Sequence, residues 1–148
     1  MPSRETEETM RALIINKMNA DLEAGIPPSP AIMEGVGKLV EDMTKAGVML
    51  VAEGVRPSSE GARVRVTAGR RTVTDGPFAE AKELIGGFMV VQVRNLDEAL
   101  EWAARLAEVL DDEVEVRRIV ELSDFDTAVL SEQERERQQA VRDQLRGS

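Results

Sequence analysis

Asp75 opens the part of the chain richest in groups able to do chemistry. In VTDGPFAEAKELIGGF, residues 73–88, an acid precedes a Gly-Pro turn, and Phe78, Glu80, Lys82, Glu83 and the pair Gly86-Gly87 follow. The 148-residue chain has no histidine and no cysteine. Acid–base work therefore falls to Asp, Glu, Lys or water. A thiolate metal site and a disulfide framework are both excluded. Asp75 is the candidate catalytic residue, a carboxylate base or hydrogen-bond acceptor whose pKa would rise if it were desolvated. The same residues also have a purely architectural reading. Asp accepts amides in turns, Gly permits unusual dihedrals, Pro77 presets a first helical residue, and Phe78 pins a short helix FAEAKE to the core.

Candidate ligand contacts lie elsewhere as well. Glu53 and Arg117 fall on strand-like segments, where an acid and a guanidinium would be costly to bury unless they pair with each other, pair across an interface or hold an anionic ligand. Gln92 and Asn16 are weaker candidates of that kind. Lys82 reads either as a solvated helix residue or as a ligand contact, and Phe78 as either a packing or a contact residue. Arg56, Arg63, Arg65, Arg70 and Arg71 crowd one short span of an otherwise acidic chain. That pattern suits an edge hairpin kept from sticking to other edges, or an acidic partner or anionic ligand. Gly35 and Gly37, inside a helical pattern, each cost up to about 1 kcal/mol relative to Ala. They imply close helix approach or room for a ligand. There is no glycine-rich phosphate loop, nucleophile elbow or metal-ligand cluster, so neither a cofactor nor a metal is expected.

Composition narrows the field further. Nineteen basic against 28 acidic residues give a formal charge of −9, which repels phosphate backbones and disfavours nucleic acid as a partner. No apolar run approaches the roughly 20 residues that span a bilayer, and MPSRETEET lacks an apolar targeting core. The expectation is a cytoplasmic protein with no membrane partner.

The elements that must position these residues alternate. Residues 1–9 read as a disordered leader. MRALIINKM is a strand with Leu13 and Ile15 on one face and Ala12, Ile14 and Asn16 on the other. DLEAGIPPSP is a Pro-rich loop, and Ser29-Pro30 caps a helix that runs to about Ala46, with Ile32, Val36, Leu39, Val40 and Met43 at helical spacing and Gly47 ending it. VMLVAEGV is a second strand. ARVRVTAGRRTVTDG is a hairpin turning near Ala68-Gly69, and Gly86-Gly87 is a bulge or bend before the strand FMVVQVRN. Asn95 and Glu98 form a capping box for a helix whose buried stripe is Leu96, Ala99, Leu100, Ala103, Leu106 and Leu110. EVEVRRIVEL closes the sheet, and Ser131 with Glu134 opens a charged C-terminal helix over the segment 127–148.

Strand-helix-strand repeated twice defines an α+β domain over residues 10–126: a ferredoxin-like split βαβ fold with an inserted β-hairpin. Two helices cover one face of such a sheet. Alternation leaves Ile14, Met49, Val51, Phe88, Val90 and Ile119 on the other, and at roughly 25 cal/mol per Å² this greasy surface calls for a cover. A second copy laid sheet on sheet supplies one, with an enclosed space between the sheets.

On AGVMLVAEGVRPSS, VTDGPFAEAKELIGGF, LDEALEWAARL and VEVRRIVELSDF, from about Met10 to Phe125, the chain resembles the YCII-related superfamily, and within it the DGPF-domain proteins. TDGPFAEAKE is the marker. The resemblance implies a dimeric α/β barrel of ferredoxin-like protomers with a pocket between the strands and the marker loop. Some relatives accompany transcription or sigma factors. One branch looks like lyases or dehalogenases dependent on a His-Asp pair, which this chain, having no His, does not carry. The expected function is a homodimer that binds a small organic molecule between its sheets, as a cofactor-independent isomerase, cyclase or lyase. The competing expectation is a non-catalytic regulatory or protein-interaction module.

Overall fold

The computed structural model describes residues 8–147, so all but the last two residues of the expected leader lie outside it. The chain forms two compact units, dividing between Arg118 and Ile119.

In the first unit, β1 (Met10–Lys17), β2 (Met49–Gly54), β5 (Ile85–Val93) and β6 (Val114–Arg118) form one antiparallel sheet in the order β2-β5-β1-β6. This is the ferredoxin-like arrangement. The inserted hairpin, β3 (Ala62–Thr67) and β4 (Arg70–Asp75), stands as its own two-stranded sheet. Its two turn residues, Ala68 and Gly69, both take positive φ, 51° and 79°. Such a turn matches the twist of its strands.

Helices α2 (Pro30–Lys45) and α3 (Leu96–Leu110) cover one face of the larger sheet. Local sequence fixes their starts: Ser29 Oγ accepts from the Ile32 amide at 3.2 Å and Asn95 Oδ1 from that of Glu98 at 2.9 Å. The return contact of the expected capping box goes one residue further out, from the Arg94 amide to Glu98. Gly47, at φ 75°, follows the end of α2. Leu39 and Met43 from α2, and Ala99, Ala103 and Leu106 from α3, pack on Ala12, Ile14, Met89, Val91 and Val93.

Several expectations change. Ile14 is fully buried beneath the helices, so Leu13 and Ile15 take the other face. Nearly all of β1 is apolar, and periodicity alone cannot choose its inner side. Met49 also packs against the core, because a bulge between Met49 and Val51 breaks the alternation and leaves Val51 and Glu53 on the far face. A short helix α1 (Ala20–Glu23), capped by Asn19, stands where a plain loop was expected. Pro77 starts no helix: its bond to Gly76 is cis, and only a 3-10 turn forms, over Ala81–Glu83. Leu96 and Leu100 are 41% and 46% exposed, at the margin of the stripe expected to be buried.

In the second unit, α4 (Glu132–Arg146) begins where Ser131 Oγ accepts from the Glu134 amide at 3.2 Å. Leu122 and Leu130 are buried. No helix among the described residues is long and apolar enough to cross a membrane.

Candidate functional site: a cavity beside α2 and the marker junction

A cavity of about 660 Å³ lies between α2 and the β2–β5 edge of the sheet. That volume is within the range that accepts small organic ligands. Its apolar wall includes Ile32, Met33, Val36 and Val40 of α2, with Ala52, Met89 and Leu106. Polar groups are few: Asn16, Glu53, Arg56 and Glu60. Arg56 is engaged, its Nε donating to both Glu60 oxygens at 3.0 and 3.2 Å. A second cavity of about 400 Å³ shares Asn16, Leu22, Ile26 and Ile32 with the first.

Asn16 stands at the wall common to both cavities, and the sheet is shaped around it. Gly86 is the extra residue of a bulge where Asn16 pairs with Gly87 and Lys17 with Ile85. A Cβ on Gly87 would come within 2.8 Å of Asn16 Oδ1, and one on Gly86 within 2.9 Å of the Lys17 carbonyl. The glycine pair thus makes room for this side chain. Among the described residues the Asn16 carboxamide makes no hydrogen bond.

Two glycines of α2 differ in what surrounds them. A Cβ on Gly35 would meet Val109 Cγ1 at 2.8 Å, so Gly35 permits the close approach of α3. A Cβ on Gly37, which lines the cavity, would meet nothing within 4 Å beyond its own helix backbone and chain neighbours. Packing does not require that glycine.

The marker loop forms a separate junction. Ser58 donates its amide and its hydroxyl to the two oxygens of Glu23, both at 2.5 Å. Ser58 Oγ in turn accepts the Phe78 amide at 2.9 Å. These contacts hold the Glu23 carboxyl below the ordinary carboxylate range, the Ser58 hydroxyl first and its amide second. The Gly76 amide donates to the Gly61 carbonyl at 3.0 Å. Above Phe78 lies the Arg63 guanidinium, 3.9 Å from the ring centroid, within the range of a cation–π contact.

The residues singled out from sequence are dispersed. Asp75 is exposed at the end of β4, opposite Ala62, and lines neither cavity. Glu53 lines the larger cavity. Phe78 belongs to the marker junction. Lys82 is exposed in the 3-10 turn. Gln92 donates to Thr9 Oγ1 at 2.7 Å. Arg117 donates to Glu115 at 3.2 Å, and Lys17 lies 3.5 Å from that same acid. Arg117, first, and Lys17 hold the Glu115 carboxyl low. Glu53 and Arg117 do not meet, since their strands are the opposite edges of the sheet, three strand spacings or roughly 14 Å apart. Arg56 and Glu60 line the cavity although sequence reading did not select Glu60, and their spacing of four residues was the available signal. Among the described residues no group of three or more acids is placed to hold a metal ion.

The YCII-related domain family matches residues 10–123, and the chain belongs to that family. It is also 34% identical, over 76 residues, to an uncharacterised protein of Rhizobium meliloti (strain 1021); the match covers 51% of this chain and 61% of that protein.

Proposed function

We propose that the protein binds a small, mainly apolar organic molecule in the cavity between α2 and the β2–β5 edge. The observation that carries this reading is the Asn16 carboxamide, engaged by no hydrogen bond among the described residues, at the wall of a largely apolar 660 Å³ space. A ligand with an apolar body and one neutral hydrogen-bonding group complements such a wall. Gly37 supports the reading, because it forgoes helix stability and leaves the space open. The ligand seat is therefore inside one protomer, on the helix side of the sheet, in place of the space between two sheets.

Binding, without a committed reaction, is the function put forward. Asp75 lies outside the cavity lining; of the lining acids, Glu60 holds Arg56 and Glu53 falls on the far face of β2, so the neutral Asn16 carboxamide is the polar group offered to a ligand. The protein acts in this reading as a homodimer. Val51, 41% exposed, and the half-buried Leu13, Phe88 and Val90 support that, forming the apolar part of the sheet face away from the helices. Ile15 is only 7% exposed within the single chain, so this face offers less bare surface than alternation alone suggests.

The test uses N-phenyl-1-naphthylamine, a neutral apolar fluorophore, with the full chain and its Gly37→Leu variant. Enhanced fluorescence with the natural chain, lost when the larger side chain of the variant fills the space in a still-folded protein, is the expected result. No enhancement with the natural chain, or equal enhancement with both, overturns the reading.

A further inference from the structure

The β3–β4 hairpin has no packing face of its own. All of residues 62–75 are exposed, and Val64, Val66 and Val73 are 65%, 67% and 57% exposed. Val64 pairs with Val73 and Val66 with Arg71. Strand alternation therefore places the three valines and Arg71 on one face of the ribbon, with Arg63, Arg65, Thr72 and Thr74 on the other. A solitary two-stranded hairpin is marginal in water. This one is instead clamped at its root: the Gly76 amide binds Gly61, Arg63 covers Phe78, and Ser58 holds Phe78 and Glu23 together. A firmly rooted ribbon with a bare valine face is suited to an external partner.

Charge selects the partner. Residues 62–75 hold four arginines and one aspartate, a net +3, whereas the whole chain carries −9; the remainder therefore carries −12. A basic ribbon on so acidic a body is complementary to another copy of that body. The matching surface is the outer flank of α3, where Leu96 and Leu100, one helical turn apart and 41% and 46% exposed, adjoin the exposed Asp97 and Glu101. The uncovered sheet face is a poorer match: Arg11, Lys17 and Arg117 lie on it, and of its acids Glu53 and Glu115 the second already holds Lys17 and Arg117.

We propose that the hairpin is a dimerisation arm: its Val64, Val66, Val73 and Arg71 face docks on the Leu96–Leu100 flank of α3 in a second copy. Under two-fold symmetry the contact occurs twice. Three valines fall short of the roughly 800 Å² per partner of a standard interface, so the arm adds to a wider contact. The inference rests on the homodimeric reading above and is independent of the ligand cavity.

Sedimentation equilibrium of the full chain, with folding checked by circular dichroism, tests it. The natural chain self-associates; V64E/V66E on the arm and L100K on the receiving helix each weaken association at least about tenfold. R71E, which reverses a charge on the docking face and leaves its three valines in place, weakens it and reduces its salt dependence. Dimerisation unchanged in V64E/V66E, or lost in only one of the arm and helix variants, overturns the arm while leaving the dimer standing. A natural chain that stays monomeric overturns both.

Discussion

Gly76 lies against the backbone of Ser58 so closely that a Cβ on it would occupy the place of the Ser58 carbonyl oxygen. The obstacle is main chain, held by the Glu23–Ser58–Phe78 bonds, so it cannot rotate away. Gly76→Ala is expected to destabilise the protein by about 1–3 kcal/mol, the cost of forced overpacking. Gly61→Ala is the control, since its nearest neighbour would lie at an ordinary 3.5 Å. It should fall within about 0.5 kcal/mol of the natural chain. Urea midpoints of the two variants check the contrast.

The same junction carries a pH signature. Ser58 depresses the Glu23 pKa below the ordinary 4.5. A carboxyl whose folded pKa lies below its unfolded value contributes fully above the unfolded value, and that contribution is lost as pH falls through the folded one. The stabilisation by Glu23 is thus complete at neutral pH and disappears at acid pH, below about 4.5. Glu23→Gln should flatten this part of the stability–pH curve and change little in its slope near neutrality. Thermal melts across the acid range, compared between the two proteins, read the difference.

These relationships show what was legible beforehand. Caps and turns were, because Ser29, Asn95, Ser131, Gly47 and Ala68-Gly69 act on amides and dihedrals within a few residues of themselves. The strand-helix order was, and with it the fold. The two sides of the sheet were not: β1 is apolar on both faces, and the bulge at Met49–Val51 shifts the alternation by one residue. Nor was the site. Ser58 reaches across 35 residues to Glu23 and 20 to Phe78, and no local pattern encodes those distances. Gly86-Gly87 was visible as a bend, but its purpose appears only with Asn16 lying over it.

The two helix glycines offer opposite outcomes from the same substitution. At Gly37 a methyl group meets nothing, so Gly37→Ala should stabilise the protein by roughly 0.5–1 kcal/mol through helix propensity and a less free unfolded chain. At Gly35 the same gain is opposed by the Val109 methyl at 2.8 Å. Val is stiff about its one side-chain torsion and yields little inside a helix. Gly35→Ala should therefore lie about 1–3 kcal/mol below Gly37→Ala. Equal midpoints in denaturant would contradict the assignment of Gly35 to helix approach and Gly37 to the cavity.

In the second unit Arg135 joins α4 to the segment before it. Nη1 donates to the Leu122 carbonyl at 2.5 Å and Nη2 to that of Phe125 at 2.7 Å. Both carbonyls belong to the 3-10 turn at Leu122–Asp124 and its cap, so one guanidinium satisfies two main-chain acceptors. Hydrogen bonds to a charged donor contribute about 1.5–3 kcal/mol each, and Lys cannot reproduce the fork. Arg135→Lys should accordingly behave nearly as Arg135→Ala. Either change should speed amide exchange over residues 122–130 and leave α4 helical, since the Ser131 cap is untouched. Trp102, the single tryptophan, lies in the first unit on α3, so its unfolding signal reports the sheet and its helices. Loss of protection at Leu122–Leu130 with an unchanged Trp102 transition is the expected pair of results. Protection retained in Arg135→Ala would mean that the turn holds itself through its own Glu121–Asp124 bonds.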